Sequence, residues 1–440
     1  MALGGGVWLA QNKVLPGSYI NFVSAANASA SLSERGVATM PLALDWGAQG
    51  EVFAVTAGEF QKNSLEIFGH PYTDAQMRPM RELFKNARTV YFYRLDTGGQ
   101  KASCTYADAK YPGSLGNQIK IVISEGEGYV AESNEVFDVA TYVGKTQVDL
   151  QKGVQEAAEL QDNAFVVWKS DGTLAATAAT PLTGGSDGTV EDAAYQTYLD
   201  KMESYSFHTM GCDSDEETIK ELFAGYVKRM REECGIKFQL VLHQYAQADY
   251  EGVISVENVE EDTDAGTGLV YWATGAQAGC AVNKSLTNTA YPGEYTVDVD
   301  YTQAQLEAGI KAGKLMLHRV GDEVRVLTDI NTFISVSDEK SADFSSNQVV
   351  RTLDQIGNDI ASIFNTKYLG KIPNDNAGRI SLWNDIVKHH NQLQDIRAIE
   401  DFDSEDITVA LGDTKASVVV SDYVKPVSAM EQLYMTVVVN

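Results

Sequence analysis

Basic residues are scarce in this chain: 34 lysines and arginines stand against 61 acidic residues, a formal net charge of −27 over 440 residues. That deficit excludes nucleic acid as a partner, because a phosphate backbone needs a basic footprint. It argues equally against anionic membranes. An acidic, solvated surface instead keeps a protein soluble before it assembles. Cysteine is nearly absent too. Cys104, Cys212, Cys234 and Cys280 are scattered without a CxxC pair, which suits a reducing compartment better than a disulfide scaffold. No apolar run approaches the ~18 to 20 residues that span a bilayer. The opening MALGGGVWLAQNK has neither a basic n-region nor an apolar h-region, so no signal peptide is expected.

Catalytic kits are missing as well. There is no GxSxG elbow and no Walker A motif, and the Gly-rich LTGGSDG lacks the lysine that reaches phosphates. The stretch LVYWATGAQAGC places Gly268, Gly275 and Gly279 outside the GxGxxG spacing of a dinucleotide site. Of six histidines, His70 precedes Pro71 in a turn and His318 sits in the strand KLMLHRV. His208 and His243 lie on neighbouring predicted strands near Cys212, Asp213 and Cys234, where a Cys/His hydrolase or a metal site is conceivable. Satisfied core histidines are the commoner arrangement. His389 and His390 follow Asp385 on a helix, but one Asp/His pair supplies two ligands where zinc takes three or four, so a solvated helix face is expected. No catalytic residue, metal site, cofactor or small-molecule substrate is assigned.

What the chain does have is a globular composition, 44% hydrophobic and 9% aromatic, and a length that suits two to four domains. The pattern changes along it. Residues 32–95 read as α/β, with the strands GVATMPLAL and RTVYFYRL and a helix DAQMRPMRELFKNA capped by Asp74. Over 96–182 the period becomes two: IKIVISEG, EVFDVATYVG, KTQVDLQ and NAFVVWKS read as strands of an antiparallel sandwich or barrel. The tract TLAATAATPLTGGSDGT closes it as a linker. From 183 to 335 helices and strands alternate as in a parallel α/β layer. Its long helix DSDEETIKELFAGYVKRMREECG carries Ile219, Leu222, Phe223, Tyr226 and Met230 on one stripe, with Asp213 and Asp215 at its start. Two amphipathic helices follow, SSNQVVRTLDQIGNDIASIFNTKYLGK and NAGRISLWNDIVKHHNQLQDI. Three β segments end the chain: DITVALG, KASVVVSDYVKPV and LYMTVVV. The last is β-branched and aromatic, so it completes its own sheet or adds to another molecule's edge.

Several stretches in order resemble the tail sheath protein of contractile-tailed phages, prophages and phage-tail-like bacteriocins. They are LPGSYINFVSA followed by RGVATMPLALDWG, YPGSLGNQIKIVI, PLTGGSDG, VLTDINTFISVSDEKSADFSSNQVVRTLDQIGNDIASIFNTKYLGK, NAGRISLWNDIVKHHNQLQD and AMEQLYMTVVV. The resemblance implies a non-enzymatic virion protein that polymerises helically around an inner tube. It contracts to drive that tube through a target cell envelope. Expected partners are other copies of the chain, the tail tube, and baseplate and tail terminator proteins, with assembly in the host cytoplasm. The implied fold is an α/β and α+β multidomain chain. An inner α+β domain built from both termini (26–95 and 336–429) is interrupted by a β-sandwich (96–182) and a subtilisin-like, non-catalytic α/β domain (183–335). Extended arms, 1–25 and 430–440, flank it. In that family the arms add strands to an adjacent subunit's sheet. By position they are Ser18, Tyr19, Ile20, Asn21, Phe22 and Val23 at one end, and Leu433, Tyr434, Met435, Thr436, Val437, Val438 and Val439 at the other. The helix over 380–397 is the candidate tube-facing element, with Arg379, Trp383, Lys388 and Arg397. Two alternatives remain. A cryptic or degenerate α/β hydrolase would show active-site labelling at His208 or Cys212, and a non-contractile surface-array protein would carry a secretion signal.

Charge generates the first prediction. Subunits of net charge −27 repel one another unless screened, and screening shortens the repulsion to a Debye length of about 8 Å at physiological salt. Self-association followed by sedimentation should therefore rise from millimolar to several hundred millimolar salt; a steady fall would refute this.

Overall fold

The computed structural model describes residues 32–131, 133–262 and 266–439. They divide into a larger unit, residues 34–355 with the chain from 426 onward, and a smaller one, the segment ending at Ser33 with residues 356–425.

The larger unit is organised by one seven-stranded sheet interrupted by a long insertion. Its first strands are β1 (Val37–Leu42), β2 (Val52–Thr56) and β3 (Thr89–Arg94). The insertion contributes β4 (Ala107–Ala109), β5 (Ile119–Glu125), β6 (Phe137–Val143), β7 (Thr146–Val154), β8 (Val166–Trp168) and β9 (Thr177–Pro181). The sheet resumes with β10 (Thr209–Gly211), β11 (Gln239–His243), β12 (Val253–Val256) and β13 (Lys314–Leu315). Spatial order is β13-β12-β11-β10-β1-β3-β2, parallel throughout except that β2 runs against β3. A hairpin of β14 (Leu317–Val320) and β15 (Glu323–Val326) follows.

This order corrects one expected boundary. The sequence places 26–95 with 336–429 in an inner domain, but β1 pairs with β10, Ala38 opposite Thr209. Residues 37–94 complete the α/β layer instead. Parallel pairing between residues 171 positions apart, Ala38 and Thr209, leaves no local signature, so pattern alone could not show it.

Helices cover both faces, as a parallel sheet requires. On one face pack α1 (Ala57–Phe68), α2 (Arg78–Phe84) and the buried α5 (Leu269–Gly279). On the other lie α3 (Asp192–Met202) and α4 (Glu217–Glu232), whose Ile219, Phe223, Tyr226 and Met230 form the expected stripe. The glycines of α5 have a steric role rather than a ligand role. A Cβ on Gly275 would lie 2.1 Å from the Leu83 carbonyl oxygen, and one on Gly279 2.2 Å from that of Asn86. Only bare backbone lets α5 approach α2 this closely. A further helix, α6 (Gln303–Lys311), begins with a capping box of Thr302 and Gln305.

The insertion is antiparallel, as its period-two pattern predicts: β7-β6-β5-β9 form one sheet, and β4 pairs with β8. The tract expected to be a linker supplies β9, because its Thr/Ala side chains suffice for an edge beside β5. Trp46, from the loop after β1, is fully buried in the insertion's core. Its ring stands edge-on to Tyr111 at 5.3 Å and stacks on Phe165 at 5.8 Å. Arg94 and Asp96 form a buried pair where the chain enters the insertion. The guanidinium also donates to the carbonyls of Gly47 and Pro112, at 3.0 and 2.9 Å.

The smaller unit holds the last turns of α7 (Asn347–Ile363), then α8 (Asn376–Asp395), a short β16 (Ile399–Glu400), and the hairpin β17 (Ile407–Leu411) and β18 (Val418–Asp422). Asp375 caps α8 by accepting from the Gly378 N–H at 2.8 Å. Here a second expectation fails. His389 and His390 are fully buried rather than on a solvated face. His389 Nε2 lies 2.9 Å from Asp359, and His390 Nδ1–H donates to the Ile386 carbonyl at 3.0 Å. Asp385 turns away to Lys367 and Tyr368. Their partners sit at long sequence range, on α7 and β18.

Trp46→Ala should remove the insertion's largest core anchor and cost about 3–5 kcal/mol. Urea unfolding followed by tryptophan-independent circular dichroism checks this; a loss under about 1 kcal/mol would mean the ring packs loosely.

Candidate assembly surface

The C-terminal segment is where the structure departs from ordinary folding. Residues 427–439 form no strand, and their backbone enters no sheet of the described residues. Met430, Leu433, Tyr434, Met435, Val437, Val438 and Val439 are each at least 70% exposed. In an extended chain Leu433, Met435, Val437 and Val439 share one side, so the segment offers an apolar edge ready for pairing. Its N-terminal counterpart, Ser18–Val23, lies outside the described residues.

An incomplete sheet sits in the smaller unit. Ile407 and Val409 of β17 and Val418 of β18 face the cluster of Ile363, Leu382 and Ile386. Leu411 and Val420 share that inward side by alternation and register, yet they are 53% and 39% exposed. Two strands are too narrow to cover the helices, and isolated two-stranded hairpins are marginal in water. Beside the hairpin, Phe364, Leu369, Ile372, Arg379 and Val418 wall a groove with about 470 Å³ of empty space.

The candidate tube-facing residues do not share a face. Arg379 and Lys388 are nine residues apart, about 180° around α8 at roughly 100° per residue. Trp383 is half-buried and donates its indole N–H to the Ile407 carbonyl at 3.0 Å. Arg397 lies past the helix end at φ 61°. Of the four candidates, Lys388 alone is both within the helix and exposed.

The residues singled out for possible chemistry are dispersed. His208 precedes β10 and accepts from the Val37 N–H at 3.3 Å, whereas Cys212 follows the strand. Four steps of extended chain, across the three-residue strand, separate them by about 13 Å. Burial pushes the Cys212 thiol well up, with the Asp213 carboxylate adding to the shift. Asp213 is itself raised by burial and accepts from the Tyr271 hydroxyl at 2.6 Å. Asp215 holds His243 Nδ1 at 3.1 Å. These contacts tie loops to α5 and β11, and a protonated, buried thiol is inert. Exposed Cys234 lies beyond the end of α4. A thiol-alkylating reagent should therefore modify Cys234 in the native chain and reach Cys212 only on unfolding, as read by mass spectrometry. Rapid native labelling of Cys212 would revive the hydrolase reading.

Four family models match the chain in order. They are the phage tail sheath protein Gp18 domain III N-terminal region over residues 35–95, the β-sandwich domain over 97–187, the central domain over 188–332, and the C-terminal domain over 339–440. The phage-like element PBSX protein XkdK of Bacillus subtilis (strain 168) is 33% identical, over 99% of this chain and 100% of its own length. The crystal structure of a sheath tail protein from Desulfitobacterium hafniense superimposes with a TM-score of 0.80 at 37% identity, covering 94% of this chain and 98% of the other. A sheath of the anti-feeding prophage, helical and in its contracted state, shares the fold at a TM-score of 0.57 and 13% identity, covering 96% and 98%. Matched from residue 35 to residue 440, and related over nearly its whole length, the chain belongs to the phage tail sheath protein family.

Proposed function

We propose that the chain is a structural sheath subunit linked to its neighbours by exchanged strands. Residues Leu433–Val439 of one copy add to an open edge of the β17–β18 hairpin of another, and Ser18–Val23 form a second arm. The polymer winds helically on a baseplate, surrounds an inner tail tube, ends at a terminator protein and contracts to drive the tube through an envelope. Assembly takes place in the host cytoplasm. The α/β layer keeps the subtilisin-like label of its family without hydrolase chemistry. The observation that carries this reading is the pairing of an exposed apolar segment that joins no sheet with a hairpin whose inward residues Leu411 and Val420 remain open.

Energetics favour arms that act together. About six backbone hydrogen bonds contribute roughly 3–9 kcal/mol in all. Ordering the backbone costs about 1–2 kcal/mol per residue, so these bonds alone barely offset it. Burial of Leu433, Met435 and the valines, at roughly 1.5–3 kcal/mol each when complete, supplies the surplus. Two arms per subunit in a closed ring then gain from effective concentration. Deleting residues 432–440 should leave a monomer that melts within about 2 °C of the parent, since the segment buries nothing in its own chain. Rods seen by negative-stain microscopy should disappear. Val438→Pro should act similarly, because proline cannot donate to a ladder. A truncated monomer that unfolds, or that still builds rods, would overturn the exchange reading.

A further inference from the structure

The arm does not leave its own subunit at random. Ser428, Ala429 and Met430 are exposed, so little apolar burial holds the segment down. Three hydrogen bonds do. The Ala429 N–H donates to Gln348 Oε1 at 3.0 Å. The Thr287 hydroxyl donates to Glu431 Oε1 at 2.7 Å, and the Thr328 hydroxyl to Glu431 Oε2 at 3.0 Å. Both oxygens of one carboxylate are thus engaged by neutral hydroxyls, and among the described residues no cation pairs with Glu431 within 4.0 Å.

The seat for this carboxylate is rigid. Thr287 Oγ1 also accepts from the Asp329 N–H at 2.9 Å. The Asp329 side chain is fully buried, accepting from Arg351, Gln277 and Asn347. Gln348 is buried beside them on the first turn of α7. A weakly held segment on a rigid seat opens locally at a small fraction of the cost of global unfolding.

We infer that Glu431 is a releasable latch that sets the length of the C-terminal arm. With the latch closed, the free arm is Gln432–Val439, eight residues, about 26 Å at roughly 3.3 Å per residue. With it open the leash begins at Val427, just past the strand Lys425–Pro426, thirteen residues, about 43 Å. Release therefore adds about 17 Å of reach without breaking any pairing made by residues 433–439. The partner at the far end is a second copy of this chain, so the inference rests on the strand-exchange reading. Linked subunits that change their spacing need slack in the linker, and the latch supplies it on demand.

Amide hydrogen exchange on the full chain tests this directly, as monomer, without requiring assembly. In the parent, the Ala429 amide should exchange about tenfold or more slowly than its unprotected rate. Glu431→Ala, and independently the near-isosteric Thr328→Val, should raise that rate severalfold toward the unprotected value. Melting should move by no more than about 2 °C. Rods of Glu431→Ala should still form, with a broader spread of subunit rise than the parent, unlike the arm deletion, which removes rods altogether. Unprotected exchange at Ala429 in the parent, or protection unchanged in both variants, would overturn the latch. Rods that persist after deletion of 432–440 would overturn strand exchange and leave the measured latch standing.

Discussion

The Asp329–Arg351 ion pair is the interaction on which the rest of the larger unit leans. Both side chains are wholly buried, 3.2 Å apart. Asp329 also accepts from Gln277 of α5, from Asn347 at the start of α7 and from the Leu286 N–H. Arg351 reaches the Lys284 carbonyl and Gln277 Oε1, each at 2.6 Å. Asn347 in turn accepts from Gln239 on β11. One charge pair therefore joins the sheet, its most buried helix, the 284–289 loop and the helix that leads onward in the chain. A buried pair is weak evidence for stability as such, but removing one partner strands the other and costs about 3–5 kcal/mol. Its contribution here is geometric: it fixes in one place four segments that the sequence keeps far apart.

The same economy explains how an inserted sandwich stays attached. A chain that leaves a parallel sheet after β3 and returns at β10 must cross the sheet's rim twice. Arg94 and Asp96 close the exit, and bridges between Thr97 and Thr189 and between Gln100 and Ser186 zip the return strand to the outgoing one. Trp46 then belongs to the insertion's core although its backbone belongs to the sheet. Such a join resists hinge motion, because moving the insertion would expose an indole and break a buried guanidinium's contacts.

Legibility followed sequence distance. Helices with local signals were visible: Asp74 at the N-terminus of the turn leading into α2, and the Ile219–Met230 stripe on α4. The alternating strands of the insertion were visible because each carries its own period. What escaped was set elsewhere in the chain. Membership of β1 in the larger sheet depends on β10, and burial of His389 and His390 depends on Asp359 and Asp422. The proposed site was half legible. The terminal run from Leu433 to Val439 reads plainly as strand, but among the described residues it joins no sheet, so no pattern in the chain could name a partner for it. Leu411 and Val420 carry no mark until the hairpin's narrowness is seen.

An exposed β-branched terminus is an aggregation hazard, and the chain meets it with physics already present in its composition. Uncontrolled edge pairing requires two subunits to approach in arbitrary orientation. With a net charge of −27 on each, most such approaches are repulsive at short range. One arm, whose backbone bonds barely offset its ordering entropy, cannot overcome that repulsion alone. On the proposed strand exchange, pairing becomes favourable when a ring of subunits presents several edges at fixed spacing, since effective concentration then multiplies individually weak links. On that proposal, weakness of the single arm and acidity of the surface act together: they make pairing depend on the template rather than on concentration.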